Sequence, residues 1–89
     1  MVEIIEFKNI GSSLGTRNLG KKIRLSILEK VEINEKVLLD FNEVNVVTNS
    51  FADECFGKLR LALPLDVFKS KITFVNTNDF IQRVIISVL

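Results

Sequence analysis

Short apolar runs alternate along the chain with longer stretches whose apolar residues recur at helical spacing. The run Val37–Leu39 is too short for a helix and ends at Asp40, which predicts a buried central strand. Val2–Ile10 also favours a strand, and the charged residues within it place that strand toward a sheet edge. Lys71–Val75 predicts another short strand, and the valines of 44–47 favour a further extended segment.

The same pattern predicts three helices. The first follows Thr16, which we expect to be its N-cap, and runs to about Val31. The second begins at Ser50 and ends before Pro64, because the residue that precedes a proline disfavours helical backbone. A mixed loop with one helical turn is expected over 65–71, and an amphipathic third helix follows the last strand.

Strands that alternate with helices require crossover connections, which favour a parallel sheet. The sequence therefore predicts one α/β domain over residues 1–89, with a mostly parallel or mixed sheet of three to four strands and three helices. Its length suffices for a single hydrophobic core. Gly20 lies inside the first predicted helix, where glycine costs roughly 1 kcal/mol relative to alanine unless another element packs closely against it.

Composition narrows the classes of partner. The hydrophobic share of 47% and the mean hydropathy of +0.30 are high for a small monomer, so we expect apolar side chains that only a partner or a second copy would cover. The net charge of +1, from 12 basic and 11 acidic residues, gives no electrostatic reason to expect nucleic acid or an anionic membrane.

Cysteine content and the N-terminal residues indicate a compartment. Cys55 is the sole cysteine, which rules out an intramolecular disulfide and fits a reducing environment. The chain begins with glutamates where a signal peptide carries basic and then apolar residues, and no stretch approaches the roughly 20 apolar residues of a membrane span. We therefore expect a cytoplasmic protein, with Cys55 on the apolar side of a helix as a small core residue.

The sequence argues against an enzyme, a metal site and a cofactor. Without histidine and with one cysteine, the usual metal-ligand sets and the Ser-His-Asp or Cys-His pairings cannot form. Four carboxylates could in principle meet around a hard cation: Asp40, Glu43, Asp53 and Glu54. The helix dipole alone explains two acidic residues in the first turn of a helix, so no metal is expected.

One candidate site lies where an extended segment meets the second predicted helix. Polar residues that can accept hydrogen bonds from free helix N–H groups follow one another here, and Ser50 is predicted to be the N-cap, with Asp53 in a weak capping box. A helix start of this kind presents a positively polarised ledge. The candidate partner-binding residues, with a candidate phosphoacceptor among them, are Thr48, Asn49, Ser50, Phe51, Asp53 and Glu54.

A second candidate is a glycine-containing loop before the first helix, whose backbone N–H groups could face an anion. Its residues are Gly11, Ser12, Ser13, Gly15, Thr16 and Arg17. It matches neither the P-loop nor the dinucleotide fingerprint. The alternative, which we favour, is an ordinary strand-to-helix turn that Thr16 caps.

Two short motifs carry a family resemblance: LGTR over Leu14–Arg17 and SFADE over Ser50–Glu54. Together with the order of elements they resemble a STAS-like family of unknown function and, more distantly, the STAS domain of anti-sigma-factor antagonists. The resemblance covers nearly the whole chain. It implies a non-enzymatic module that binds a histidine-kinase-like ATPase or serine kinase, with a serine phosphoacceptor at the start of this helix.

The chain departs from the antagonist pattern Asp-Ser-Ser-Gly, because the corresponding residues are Thr48-Asn49-Ser50-Phe51. The usual acceptor falls on Asn49, which cannot be phosphorylated, and Ser50 is the neighbouring serine that is retained. We expect a regulatory module that docks a protein partner through Thr48–Ser50 and the exposed side of the helix over Phe51–Leu59. The alternatives are a small-ligand or nucleotide sensor that uses the loop Gly11–Arg17, and a structural homo-oligomer.

Overall fold

The computed structural model describes all 89 residues. The strands are β1 (Val2–Glu6), β2 (Ser13–Leu14), β3 (Lys36–Asp40), β4 (Val46–Val47) and β5 (Ile72–Val75). The helices are α1 (Arg17–Ile33), α2 (Asn49–Ala52), α3 (Lys58–Ala62), α4 (Leu65–Lys71) and α5 (Asp79–Val88). A 3₁₀ turn over Phe7–Asn9 follows β1, and a π-helical segment over Asp53–Gly57 joins α2 directly to α3.

Strands β1, β3 and β5 form a parallel sheet in that order, with β3 in the centre and β1 at an edge. The two-residue strands β2 and β4 form a separate parallel pair. This architecture confirms the predicted α/β class, the central position of the Val37–Leu39 run and the edge position of the first strand.

The helices pack against one face of the three-stranded sheet. Because the spatial order of the strands follows their order in the chain, right-handed crossovers place both connections on the same side. Val37, Leu39 and Ile72 point from this face into a single core, where they meet helix residues such as Ile27 and Ile81. The core therefore lies wholly on one side of the sheet.

The opposite face of the sheet, here termed the open face, has no helix over it. Side chains alternate across each strand, so this face carries Val2, Ile4, Glu6, Lys36, Leu38, Asp40, Thr73 and Val75. None of these residues belongs to the core, and Val2 and Ile4 are 53% and 54% exposed. Parallel sheets are usually covered on both faces, so an uncovered face is exceptional.

Phe56 occupies the centre of the core. Its ring centroid lies 6.0, 5.8, 5.8 and 5.3 Å from those of Phe7, Phe41, Phe51 and Phe74, respectively. Edge-on and tilted aromatic pairs of this kind add stability beyond the burial of their surface. The helix that carries the candidate site is thus anchored in the core from its first turn to its middle.

Gly20 marks the closest approach between α1 and the helix that begins at Asn49. A Cβ atom at Gly20 would lie 2.9 Å from the carbonyl oxygen of Phe51 and 3.1 Å from Cβ of Glu54. Real Cβ atoms essentially never approach as closely as 2.9 Å, and the atom met here belongs to the backbone, so a side chain at position 20 would force the two helices apart. The close packing that would justify a glycine inside a helix is therefore present.

Three elements differ from the prediction. Ser13 and Leu14, expected in a loop, form the strand β2 because they pair with β4. β1 ends at Glu6 rather than Ile10, because the chain turns there and directs Phe7 into the core. Residues 65–71 form the helix α4 instead of a mixed loop with a single turn. Asp66 in its first turn and Lys71 in its last complement the helix dipole, and Phe68 anchors it in the core.

Candidate functional site

The loop Gly11–Arg17 and the helix start Thr48–Glu54 come together at one surface, here termed the junction. β2 pairs with β4 in register Ser13 to Val46 and Leu14 to Val47. The backbone N–H of Thr48 continues this pairing with a 2.9 Å hydrogen bond to the carbonyl of Leu14. The two motifs that carry the family resemblance are therefore adjacent in space, although more than thirty residues separate them in the chain.

Thr48, not Ser50, is the N-cap of this helix, and the prediction for Ser50 is wrong. The Thr48 hydroxyl accepts a 3.1 Å hydrogen bond from the N–H of Phe51 and donates one of 3.0 Å to the carbonyl of Gly15. The backbone of Thr48 is extended, and Asn49 is the first helical residue. The pairing of β4 with β2 fixes the point where extended backbone ends, and so decides which polar residue caps.

Both hydrogen-bonding capacities of the Thr48 hydroxyl are used within the fold, so modification at that oxygen would break the cap and the link to Gly15. Asn49 is exposed and Ser50 is half-buried in the first turn, and neither takes part in the cap. In the first turn of the helix, the polar side chains left for another molecule are therefore those of Asn49 and Ser50.

Two residues predicted to contact a partner are buried. Phe51 is 0% exposed and packs edge-on against Phe56, and Glu54 is 8% exposed. Phe51 belongs to the core because it lies three positions after the Thr48 cap, on the buried side of the helix. These residues support the junction from inside and do not form its surface.

Asp53 is also not the partner of a serine cap, because the carboxylates of the π-helical segment pair with basic residues. Arg17 Nη1 lies 2.9 Å from Asp53 Oδ2, and Arg24 Nη1 lies 2.9 Å from Glu54 Oε2. Arg24 also donates to the carbonyl of Glu54. The acidic residues thus join this helix to α1.

Glu54 accepts a third contact, from Lys58 Nζ at 3.0 Å. Hydrogen bonds from Lys58 and then Arg24 lower the pKa of the Glu54 carboxyl below its ordinary value. Near neutral pH Glu54 is therefore ionised, which satisfies the charge of the largely buried Arg24 side chain. Arg24 lies four residues after Gly20 in α1, so the sequence did contain a signal for this contact: the basic residue one turn beyond a glycine that marks close packing.

The loop Gly11–Arg17 contains the short strand β2 and leads directly into α1. Thr16 is the N-cap of α1, as predicted, and its hydroxyl accepts a 3.1 Å hydrogen bond from the N–H of Leu19. Arg17 is held by Asp53, and this hydrogen bond raises the pKa of its guanidinium. The surface has two grooves, and neither includes a residue of this loop. Anion or nucleotide binding at the loop therefore stays a prediction.

Two shallow grooves flank α5. One, of about 270 Å³, runs beside α3 and is lined by Asp53, Gly57, Lys58, Arg60, Leu61, Val88 and Leu89. The other, of about 230 Å³, lies between β5 and α5 and is lined by Phe74, Thr77, Gln82, Ile85, Ile86 and Leu89. The first continues from the junction along the exposed side of the helix, where Leu61 is 81% exposed. Sequence reasoning missed Lys58 and Leu61, since exposure on a helix depends on what packs against it.

The four carboxylates that the sequence offers for a cation lie in two separate places, with Asp40 and Glu43 in one and Asp53 and Glu54 in the other. Asp40 accepts hydrogen bonds from Asn76 Nδ2 at 3.0 Å and from the N–H of Asn42 at 2.9 Å, and these lower the pKa of its carboxyl. Glu43 pairs with Lys8 at 3.2 Å. Asp53 and Glu54 lie instead against α1, and no group of three or more acidic or cysteine side chains is close enough to hold a metal ion.

Cys55 is fully buried, as predicted, and burial raises the pKa of its thiol far above the ordinary value. The thiol is therefore a packing group and not a nucleophile at neutral pH. None of the helices combines the length and the apolar character needed to cross a bilayer.

Comparison with known proteins gives one finding. A family model described as a STAS-like domain of unknown function (DUF4325) matches residues 20–82. The match includes the helix start at Thr48–Glu54 and begins after Arg17, so the LGTR motif lies outside it. No curated protein and no solved structure matches the chain.

Proposed function

Because the chain belongs to the family of STAS-like domains of unknown function, we propose that it is a non-enzymatic regulatory module that docks a kinase- or ATPase-type protein. The contact surface comprises Asn49 and Ser50 at the junction and the exposed side of the following helix. The observation that carries the proposal is the rigid presentation of this surface: Thr48 caps the first turn and also ties it to Gly15.

The surface beyond the first turn suits a protein partner. Asp53 and Lys58 are exposed and charged, and Leu61, 81% exposed, adds an apolar contact beside the groove along α3. An exposed apolar side chain within a polar rim is the arrangement found at protein interfaces. The lack of histidine and the buried thiol support a binding role over a catalytic one.

Ser50 is the phosphoacceptor in this proposal. It lies in the first turn of the helix, where the free N–H groups favour a phosphate. The nearest acidic side chain along the helix, Asp53, is already paired with Arg17, which reduces its repulsion toward an added phosphate. A phosphate at Ser50 would add charge and bulk at the centre of the contact surface, so phosphorylation is expected to release the partner.

The test is affinity capture from lysate of the native host, with and without ATP, followed by intact-mass analysis of the bait. The expected result is a stoichiometric kinase or ATPase that leaves when ATP is added, with one phosphoryl group gained at Ser50. Ser50→Asp should abolish capture, whereas Ser70→Asp, at an exposed serine on α4, is the matched control and should not. Capture that survives Ser50→Asp in a folded protein would show that the junction is not the contact.

A further inference from the structure

The open face presents an apolar centre between two charged ends. Its middle row is Ile4 beside Leu38 beside Thr73, in register across β1, β3 and β5. Ile4 is 54% exposed and Leu38 is half-buried. Uncovered apolar side chains on a parallel sheet mark a surface that another layer is expected to cover.

The charges on the two sides of this row have opposite signs. One row toward the start of the strands lies Lys36, which is exposed. One row toward their end lie Glu6 and Asp40, which are in register with each other. The middle row is thus equidistant from a basic and an acidic row, each two residues away along the strands.

This arrangement is complementary to itself. A two-fold axis can be placed along the middle row, midway between two sheets that face each other. Each strand then lies opposite the same strand of the second copy, and the two run in opposite directions. Leu38 then faces Leu38 of the second copy, Ile4 faces Ile4, and Lys36 faces Asp40 twice. We infer that the open face binds a second copy of this chain through such an isologous contact.

The size of the face determines the strength expected. Three strands about 4.8 Å apart, with a rise of about 3.3 Å per residue, give a patch of only a few hundred Å². Stable interfaces bury roughly 800 Å² on each partner. The dimer is therefore weak and reversible, it forms at high protein concentration, and added salt weakens it because ion pairs rim its centre.

The dimer and the junction do not compete. The helix start of the junction is anchored through Phe51 in the core, which lies on the other face of the sheet. Two copies joined through their open faces would present both junctions outward. This inference stands on the sheet alone and holds whether or not the junction binds a kinase or ATPase.

Sedimentation velocity and equilibrium of the purified chain from about 1 μM to about 1 mM test the inference directly, since weak interfaces dissociate within this range. The expected result is a reversible monomer–dimer equilibrium. Ile4→Lys, at an exposed edge position, should raise the dissociation constant at least about tenfold, because it places a charge against its own copy. Leu25→Lys, at a 49% exposed apolar residue of α1 on the helix side, is the matched control and should leave it unchanged.

The charge pairing has its own test. Lys36→Glu and Asp40→Lys should each weaken self-association, and an equimolar mixture of the two should restore it, because both contacts then pair opposite charges.

Amide shifts in ¹⁵N-HSQC spectra that depend on concentration should fall on β1 and β3, and this measurement needs no variant. A monomer at every concentration, or a dimer that Leu25→Lys breaks and Ile4→Lys does not, would overturn the inference. If the chain stays monomeric and the amides of the open face are protected from exchange only when another protein is present, that face binds a different partner.

Discussion

Leu38 and Leu39 are neighbours of the same residue type in the same central strand, yet their environments differ. Leu39 is fully buried beneath the helices, whereas Leu38 lies half-buried on the open face. The edge strand repeats the contrast, since Ile5 packs against the core and Ile4 is 54% exposed. Hydrophobicity therefore does not determine which face of this sheet is covered. The direction of the crossovers does, because both return on the same side.

The two faces are expected to respond differently to substitution. On the helix side, strand residues such as Val37, Leu39 and Ile72 belong to a packed core. On the open face, the same residue types contact few other groups. Pairs of variants with the same chemical change on the two faces measure this difference.

The largest effect is expected from Phe56→Ala, which removes the ring that contacts four other phenylalanines. The free energy of unfolding should fall by about 3–5 kcal/mol, measured by urea denaturation. Ile4→Ala on the open face should change it by less than about 1 kcal/mol. If Phe56→Ala does not fold, Phe56→Leu provides the measurement; equal losses on the two faces would contradict the one-sided core.

Glu54→Gln should destabilise the protein at neutral pH, because Arg24 then loses the carboxylate that pairs with it. The pKa of Glu54 is lowered in the folded state, so its contribution to stability is fully present above the unfolded-state pKa. That contribution disappears as pH falls through the lower folded-state value. Denaturation midpoints between pH 7 and pH 3 should fall more steeply for the wild type than for Glu54→Gln.

The matched variant for this pH series is Glu6→Gln on the open face, where Lys8 lies 3.6 Å away and both side chains are well exposed. Glu6→Gln should change the dependence of the denaturation midpoint on pH only slightly, since exposed ion pairs contribute little to stability. If Glu54→Gln and Glu6→Gln reduce the fall of the denaturation midpoint between pH 7 and pH 3 equally, the ion pairs around Arg24 are not what stabilises the junction.

Gly20→Ala should destabilise the protein by about 1–3 kcal/mol, because its Cβ would meet the backbone of the facing helix. The sign is informative, since alanine in place of glycine stabilises an exposed helix position by roughly 1 kcal/mol. Lys22→Ala, at an exposed position of the same helix, is the control and should be nearly neutral. Thermal and urea midpoints report both variants, and a stabilised Gly20→Ala would show that the two helices can separate.

The smallest of these effects is expected from Thr48→Val, which removes the cap and the hydrogen bond to Gly15 while keeping the side chain's shape. A loss of about 1 kcal/mol is expected. The same change on the open face, Thr73→Val, and the substitution Ser50→Ala should each cost less than about 0.5 kcal/mol. If Ser50→Ala lowers the free energy of unfolding more than Thr48→Val does, Ser50 and not Thr48 is the N-cap.

Local signals in the sequence were sufficient for much of the fold. The alternation of strands and helices, the Thr16 cap, the end of the second helix before Pro64 and the burial of Cys55 all depend on residues close together in the chain. The helix α4 could also have been predicted, since Asp66 near its start and Lys71 at its end are ordinary helix signals.

The candidate site was less accessible to sequence reasoning. Thr48, Asn49 and Ser50 are all good capping residues, and the choice among them depends on where β4 stops pairing with β2. The burial of Phe51 and Glu54 depends on how closely α1 approaches, which Gly20 permits. Each of these features requires a contact between segments that are distant in the chain.

The sequence by itself determined the alternation of strands and helices, the Thr16 cap and the end of the second helix before Pro64, and it favoured a mostly parallel or mixed sheet. Propensity, capping and crossover length act over a few residues. Only the tertiary structure decided which face of that sheet is covered and which threonine or serine closes the helix. The reason is that alternation along a strand distinguishes two faces without saying which of them a helix will occupy. That assignment follows from the spatial order β1-β3-β5, which arises from pairing between strands and is not written in any one of them.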